Sequence, residues 1–441
     1  MKYTPVIGLE VHVELKTNSK MFCNCSADYF GKEPNTHTCP VCLGMPGALP
    51  VPNKTAIQWC IIIGMALHCE IQLFSKFDRK NYFYPDLPKG YQISQYDKPF
   101  ALKGFMTLSN GKKIGITRVH MEEDTGKLTH ATVNGEKVSL IDFNRSGVPL
   151  VEIVTEPDFE NATEVKEYLQ RLQQIVRYLG VSNADMEKGN MRLEPNISLR
   201  REGQIGLPNY KVEVKNINSF RFVEKAINYE IGRQSQLLDQ DETPAQQTMG
   251  WDEKKNQTVV QRSKEEANDY RYFPEPDIPP IRFTTEQIDK LRKQIPELPD
   301  EKLKRFEQDF GLSTYDAEIL TREVEMSDFF EKAVKDGAKE KITAKQIANF
   351  IINKKIKPED ILPAELIKQI KENSATETID EVELETIIKQ VIEQNAKAVE
   401  DYKAGKEQVL MFLIGMVMRT IKKKIDVNIV KENLIKAIEN E

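Results

Sequence analysis

The chain has 441 residues, 40% hydrophobic and 29% charged, with 62 basic against 68 acidic side chains and a formal net charge of −6. That length points to two or three domains, and the balance excludes an integral membrane protein, a collagen-like fibre and a wholly disordered chain. Its longest apolar stretch, Val409–Met418, is far short of the roughly 20 residues that a spanning helix needs, and with no apolar or Arg-rich leader at the start the chain reads as cytoplasmic.

The first expected element is the strand Ile7-Gly-Leu-Glu-Val-His-Val-Glu-Leu15. Period two sets Leu9, Val11 and Val13 on one face and Glu10, His12 and Glu14 on the other. The second set can share a divalent ion, or it can be the wet side of a sheet. Cys23-Asn-Cys25 follows, then thirteen residues, then Cys39-Pro-Val-Cys42. Six cysteines in this length are too sparse for a secreted disulfide framework. Two close pairs can instead give four thiolates to one structural, tetrahedral Zn²⁺; the plainer alternative is a set of buried free thiols. His37 is a weaker ligand candidate, while Cys60 and Cys69 belong to the helical run Asn53–Cys69 and read as core.

Lys76–Ser94 mixes Tyr, Phe, Lys and Arg, which can stack a base and grip phosphate or turn its rings into a core. Lys113–Met121 and Lys137–Phe143 alternate loosely, and Asn110-Gly111 and Asn134-Gly135 are hairpin turns. In Arg118-Val-His-Met-Glu-Glu-Asp-Thr-Gly-Lys127 three consecutive carboxylates are costly together unless cations share the space. Mg²⁺, completed by phosphate oxygens, accounts for them; so does a solvated acidic turn. After a helix over Ala162–Leu179, the strand Asn190–Ser198 sets Arg192, Glu194, Asn196 and Ser198 on one face, and Lys211, Glu213 and Lys215 share another. Cations beside acidic ligands suit a nucleotide-phosphate site, yet neither a G-x-x-x-x-G-K-[ST] loop nor a G-x-G-x-x-G turn after a strand is present.

A helix over Ser219–Leu238 completes an interleaved α+β part. Four prolines in the seven residues Pro274–Pro280 then form a stiff, extended connector. Beyond it the apolar spacing is helical throughout, over Glu286–Lys293, Asp300–Phe310, Asp316–Asp336, Thr343–Lys354, Ala364–Asn373, Glu381–Lys403, Lys406–Lys424 and Asn428–Ile438. The expected fold is therefore an α+β domain with a mixed or antiparallel sheet, followed by an all-α domain and a helical tail. The expected boundaries are 1–292 (holding the cysteine loop 23–42), 293–355 and 356–441.

Several segments together resemble the B-subunit family of the bacterial aspartyl/glutamyl-tRNA amidotransferases. They are Ile7–Leu15, Phe77-Asp-Arg-Lys-Asn-Tyr-Phe-Tyr-Pro-Asp86, His120-Met-Glu-Glu-Asp124, Lys215-Asn-Ile-Asn-Ser-Phe220, Asp269-Tyr-Arg-Tyr-Phe-Pro-Glu-Pro-Asp277, Val399–Lys406 and Phe412–Met418. The resemblance implies a cradle domain with a kinase-like site, a helical domain and a tRNA-binding tail. It further implies a heterotrimer, in which the amidase (the A subunit) makes ammonia and the small C subunit clamps the other two. The B subunit would use ATP and Mg²⁺ to phosphorylate the side-chain carboxylate of Glu-tRNA(Gln) or Asp-tRNA(Asn), and ammonia would displace the phosphate. Carried over by motif, Glu10, His12 and Glu123 would bind Mg²⁺, Glu194 and Glu213 would add carboxylates, Lys80 would face the nucleotide phosphates and Arg192 would assist. A basic run, Arg419 with Lys422, Lys423 and Lys424, would touch tRNA. Departures from the family pattern are Glu194 for a usual Asp, Asn268 for His, Gln261 for Met, and a shortened stretch at Ile356–Thr378. The cysteine set occurs in only part of the family. A non-catalytic, zinc-containing protein for tRNA binding or assembly is the alternative.

Overall fold

A computed structural model describes residues 3–263, 270–374, 380–421 and 427–439; Asn268, Asp269 and Lys422–Lys424 lie outside them. The chain forms two units, Met1–Arg305 with Thr321–Val324, and Phe306–Leu320 with Glu325–Glu441. As expected, an N-terminal sheet-and-helix part precedes a helical one.

The first unit is organised by a nine-stranded sheet. In spatial order its strands are Gln257–Ser263, Gln247–Asp252, Val212–Lys215, Met191–Arg201, Tyr3–Glu14, Pro149–Thr155, Lys113–Glu123, Ala101–Thr107 and Glu70–Ile71. Neighbours are antiparallel except for Val212–Lys215 with Gln247–Asp252. The strand Tyr3–Glu14 lies in the middle, and its alternation divides the molecule. Leu9, Val11 and Val13 join one large buried core, which the helices Lys54–Ala66, Ala162–Tyr178 and Phe220–Asp239 share. Each helix starts at a side-chain cap: Asn53 accepts from Ala56 N, Asn161 from Glu164 N and Ser219 from Phe222 N. Pro149–Thr155 escapes sequence reading because it is buried almost throughout, so its run Leu150-Val-Glu-Ile-Val154 hardly alternates.

A three-stranded sheet, Phe273–Pro274, Asp78–Asn81 and Tyr91–Ser94, stands beside the other face. The proline-rich segment is thus stitched into the fold at both ends: Phe273–Pro274 pairs with Asp78–Asn81, and Ile281–Arg282 pairs with Phe74–Ser75. Between them Arg79 grips Glu275 through two bonds of 2.6 and 2.8 Å and reaches Asp277 at 3.2 Å.

Two helices expected as continuous are broken. Asp316–Asp336 is split into Thr314–Thr321 and Val324–Lys339, where the Thr321 carbonyl accepts from the Tyr178 hydroxyl (2.6 Å) and Gln174 Nε2 (2.8 Å). Glu381–Lys403 is split at Asn395 (φ −125°, ψ 38°), whose side chain bonds back to the Val391 carbonyl. The last four helices, Glu381–Gln394, Ala396–Lys403, Gln408–Thr420 and Val427–Glu439, enclose a core of their own around Leu384, Ile388, Leu413, Val417, Val430 and Leu434. Within Ile356–Thr378 the described residues form one helix, Pro363–Ser374. Among the described residues no helix is long and apolar enough to cross a membrane.

A candidate cation and phosphate site on the wet face of the sheet

Cross-strand register builds the site. Opposite His12 lie Arg192 on one neighbouring strand and Glu152 on the other, and opposite Glu152 lies His120. Two residues along, Glu10 stands opposite Glu194, and Asn196 stands opposite Glu213. Because side chains alternate, these groups share the face opposite the core. All of them except Asn196 line a hollow of about 780 Å³ whose wall includes Lys80, Tyr82, Gln92, Tyr270 and Tyr272.

Two clusters occupy the floor. In the first, His12 Nε2 lies 3.6 Å from Glu152 and 3.9 Å from Glu122, while His120 Nε2 lies 3.2 Å from Glu152 and 3.6 Å from Glu122. Ser94 and Gln92 also donate to Glu122, at 2.8 and 3.2 Å. In the second, Glu10, Glu194 and Glu213 bring carboxylate oxygens within 4.8 Å of one another, as do His12, Glu122 and Glu152 with their ligand atoms. Each trio can hold one divalent cation.

The charges answer one another. Burial would lower the His12 imidazole, but the hydrogen bond and charge of Glu152, with Glu194 and Glu122, raise it to about 9. Burial, then Glu152, Glu213 and Glu194, pushes Glu10 up. Burial would also raise Glu194, yet His12 and Lys215 hold it below the usual carboxylate range. Lys215 donates to Glu194 at 3.0 Å and lies 3.5 Å from Glu213. Lys80 sits 3.7 Å from Glu122 and 5.1 Å from the centre of the Tyr270 ring. Arg192 binds Asp124, which also lies 3.6 Å from Arg145.

Three nitrogens of residues that line the hollow, Arg118 Nε, Arg192 Nε and His120 Nδ1, are buried with no hydrogen-bond partner among the described residues. Unmatched donors beside a carboxylate floor suit a ligand that brings both anionic oxygens and a cation.

Of the residues picked out by sequence, Glu10, His12, Glu194, Glu213, Lys80 and Arg192 meet in this hollow. Glu123 does not. It follows Glu122 in an alternating strand and so turns to the opposite face, where Lys89 Nζ donates to it at 2.6 Å and the Ile93 amide at 2.9 Å. Glu122 stands in the hollow instead. Glu152 and His120 went unselected. The signal for Glu152 was a lone carboxylate inside an apolar run, Leu150-Val-Glu-Ile-Val154.

A separate cluster gathers Cys23, Cys25, Cys39 and Cys42, with sulfurs within 4.8 Å of one another. Tetrahedral Zn–S bonds of about 2.3 Å put sulfurs roughly 3.8 Å apart, and Cys39 and Cys42 stand at 3.9 Å. The geometry is compatible with zinc. His37 stays outside: it offers its carbonyl to Lys20 Nζ at 2.7 Å, and that ammonium also lies 3.6 Å from Cys42 Sγ. The hydrogen bond shared with Cys23 and the Cys39 amide, opposed by burial, pull the Cys42 thiol down from its ordinary value.

A family model described as the GatB/GatE catalytic domain matches residues 5–289, and one described as the GatB domain matches residues 330–438. The chain belongs to the GatB family. Relatives named as the B subunit of aspartyl/glutamyl-tRNA(Asn/Gln) amidotransferase include those of Thermotoga neapolitana, 44% identical with all of both chains covered, Dehalococcoides mccartyi, 46% identical with 99% of each covered, and Thermosipho melanesiensis, 46% identical with 97% of each covered. The alignment to the Thermotoga neapolitana GatB spans 483 positions against 441 residues here, so at least 42 positions (483 − 441) have no counterpart in this chain.

Proposed function

We propose that this chain is the ATP-dependent B subunit of a glutamine-dependent Asp/Glu-tRNA amidotransferase, a carbon–nitrogen ligase of translation in the cytoplasm. It acts on Glu-tRNA(Gln), Asp-tRNA(Asn) or both, in a heterotrimer with the amidase and the small clamping protein. The names of relatives aligned over the whole chain support the activity. The observation that carries the site is the register that lines up Glu10, His12, Glu122, Glu152, Glu194 and Glu213 on one wet face beside Lys80 and the unmatched Arg118 and Arg192 nitrogens.

A carboxylate is a poor acyl donor because oxide would have to leave; an acyl phosphate has a good leaving group. Forming it asks the protein to position the nucleotide and the substrate carboxylate and to meet the phosphate charge, without a protein nucleophile. Mg²⁺, when bound, neutralises charge on the phosphate oxygens. The oxygen-rich trio Glu10, Glu194 and Glu213 and the trio His12, Glu122 and Glu152 suit such an ion. Lys80 and Arg192 border the same space, with Tyr82, Tyr270 and Tyr272 in its wall. Ammonia arriving from the amidase would then displace phosphate. The four cysteines would hold a structural Zn²⁺ that braces the loop and takes no part in the reaction.

The division at about 355 belongs to the same proposal; the separate core of the last four helices begins further on, at Leu384, and Lys371 of the helix Pro363–Ser374 pairs back with Glu340. The final domain would bind tRNA, with Arg419 among its contacts, so that deletion after residue 400 weakens tRNA binding more than ATP use. The direct test is Mg²⁺-dependent ATP hydrolysis and amide formation by the reconstituted trimer with each misacylated tRNA. Turnover by wild type and a large loss in His12→Ala are expected; equal turnover would restore the non-catalytic reading.

A further inference from the structure

Glu123, turned away from the hollow, is 2% exposed, and its partner Lys89 has a side chain only 8% exposed. A buried ion pair is a poor source of stability, because desolvation offsets most of its attraction. Its surroundings offer another use for it. On one side, Lys89 packs against the cysteine loop: a Cβ at Gly44, two residues after Cys42, would collide with the Lys89 stem. Cys23, Cys42, Gly44, Lys89 and Glu123 border the same small cavity of about 80 Å³. On the other side, Glu123 takes the Ile93 amide, and its own carbonyl accepts from Gln92 Nε2 at 2.6 Å. Gln92 and Ser94, flanking Ile93, are the residues that donate to Glu122.

We propose that the Lys89–Glu123 pair positions Glu122, fixing the strand Tyr91–Ser94 against Lys113–Glu123 and tying both to the cysteine loop. Neither Lys89 nor Glu123 touches the ligand. Glu122 and Glu123 thus divide the work by alternation, one facing the cation and the other anchoring from behind. Supporting groups behind a metal ligand govern affinity by orienting it, and their loss costs roughly 10–100-fold. The inference rests on the hollow being a divalent-cation site.

The experiment is a Mn²⁺ titration of the full-length chain, read by electron paramagnetic resonance, with thermal unfolding alongside. Absence of Mn²⁺ binding by wild type would remove the underlying reading itself. Given wild-type binding, Lys89→Met should weaken Mn²⁺ about tenfold or more, and Lys89→Arg should recover most of that loss. Because Lys89→Met leaves a buried carboxylate unpaired, the double variant Lys89→Met/Glu123→Gln removes both charges while keeping the bulk. It too should bind Mn²⁺ weakly although folded. Mn²⁺ affinity within about twofold of wild type in the folded double variant would overturn the proposal, being well short of the loss expected for a supporting group.

Discussion

The cysteine cluster and the carboxylate hollow are both gatherings of ligand-type side chains, but they are assembled in opposite ways. The four thiols come from one short stretch, Cys23–Cys42, so they start out close along the chain. The hollow draws on strands far apart in the chain, and only the sheet's hydrogen-bond register brings Glu10, Glu152 and Glu213 together. A local site can survive disturbance elsewhere, whereas a register site is as sound as its sheet. The two also differ in charge balance. In the hollow the imidazoles, Lys80 and Lys215 hold Glu152, Glu122 and Glu194 below the usual carboxylate range while Glu10 is pushed up, and the cysteine cluster has Lys20 as the ammonium beside Cys42.

The sharpest way to break this contrast is at the centre of the register. His12→Ala should lower Mg²⁺-dependent ATP hydrolysis by the assembled trimer by on the order of 10² or more, as measured with misacylated tRNA present. Glu152→Gln comes next: it keeps the shape but removes the charge touching both imidazoles, so Mn²⁺ affinity should fall roughly 10–100-fold. A Glu152→Gln protein that binds Mn²⁺ as wild type does would mean that Glu152 merely satisfies His12 and His120. At the local site, Cys39→Ser should abolish the one zinc per chain found by elemental analysis and lower the melting temperature. Its effect on ATP hydrolysis should be smaller than that of His12→Ala.

A partly buried pair away from both sites gives the baseline. Arg305 binds Glu297 at 2.6 and 2.7 Å, and that bond holds the Glu297 carboxyl below its usual value of 4.5. A lowered carboxyl contributes stability above about pH 4.5 that is lost as pH falls through its folded value. Glu297→Gln should therefore cost about 0.5 kcal/mol at neutral pH, in denaturant melts, and nothing in strong acid, near about pH 2.

Much of this was legible in the amino-acid order, for identifiable reasons. Strict alternation exposed Glu10 and His12, paired spacing exposed the cysteines, and apolar spacing placed the helices over Ala162–Leu179 and Ser219–Leu238. What could not be read was pairing. Glu122 and Glu123 are equivalent in one dimension; only the partner strand decides which of them looks into the hollow. Glu152 was hidden because its strand is buried almost throughout and lacks the half-polar rhythm that flags a strand. The helix breaks at Thr321 and Asn395 depend on which carbonyls side chains capture, those of Gln174 and Tyr178 at Thr321 and its own at Asn395, and apolar spacing carries no record of that.

The return of residues 273–282 to the strands near Phe74 and Lys80 has a practical consequence. The wall that presents Lys80, Tyr270 and Tyr272 is closed by chain that lies far downstream of Lys80 in sequence. A fragment ending before Tyr270 would keep every acidic floor residue and still lack that wall. Ile288 and Leu291 then insert into the main core. A piece able to hold the hollow therefore has to include the helix Thr285–Arg292, and a fusion or cleavage site before its end would cut into that core.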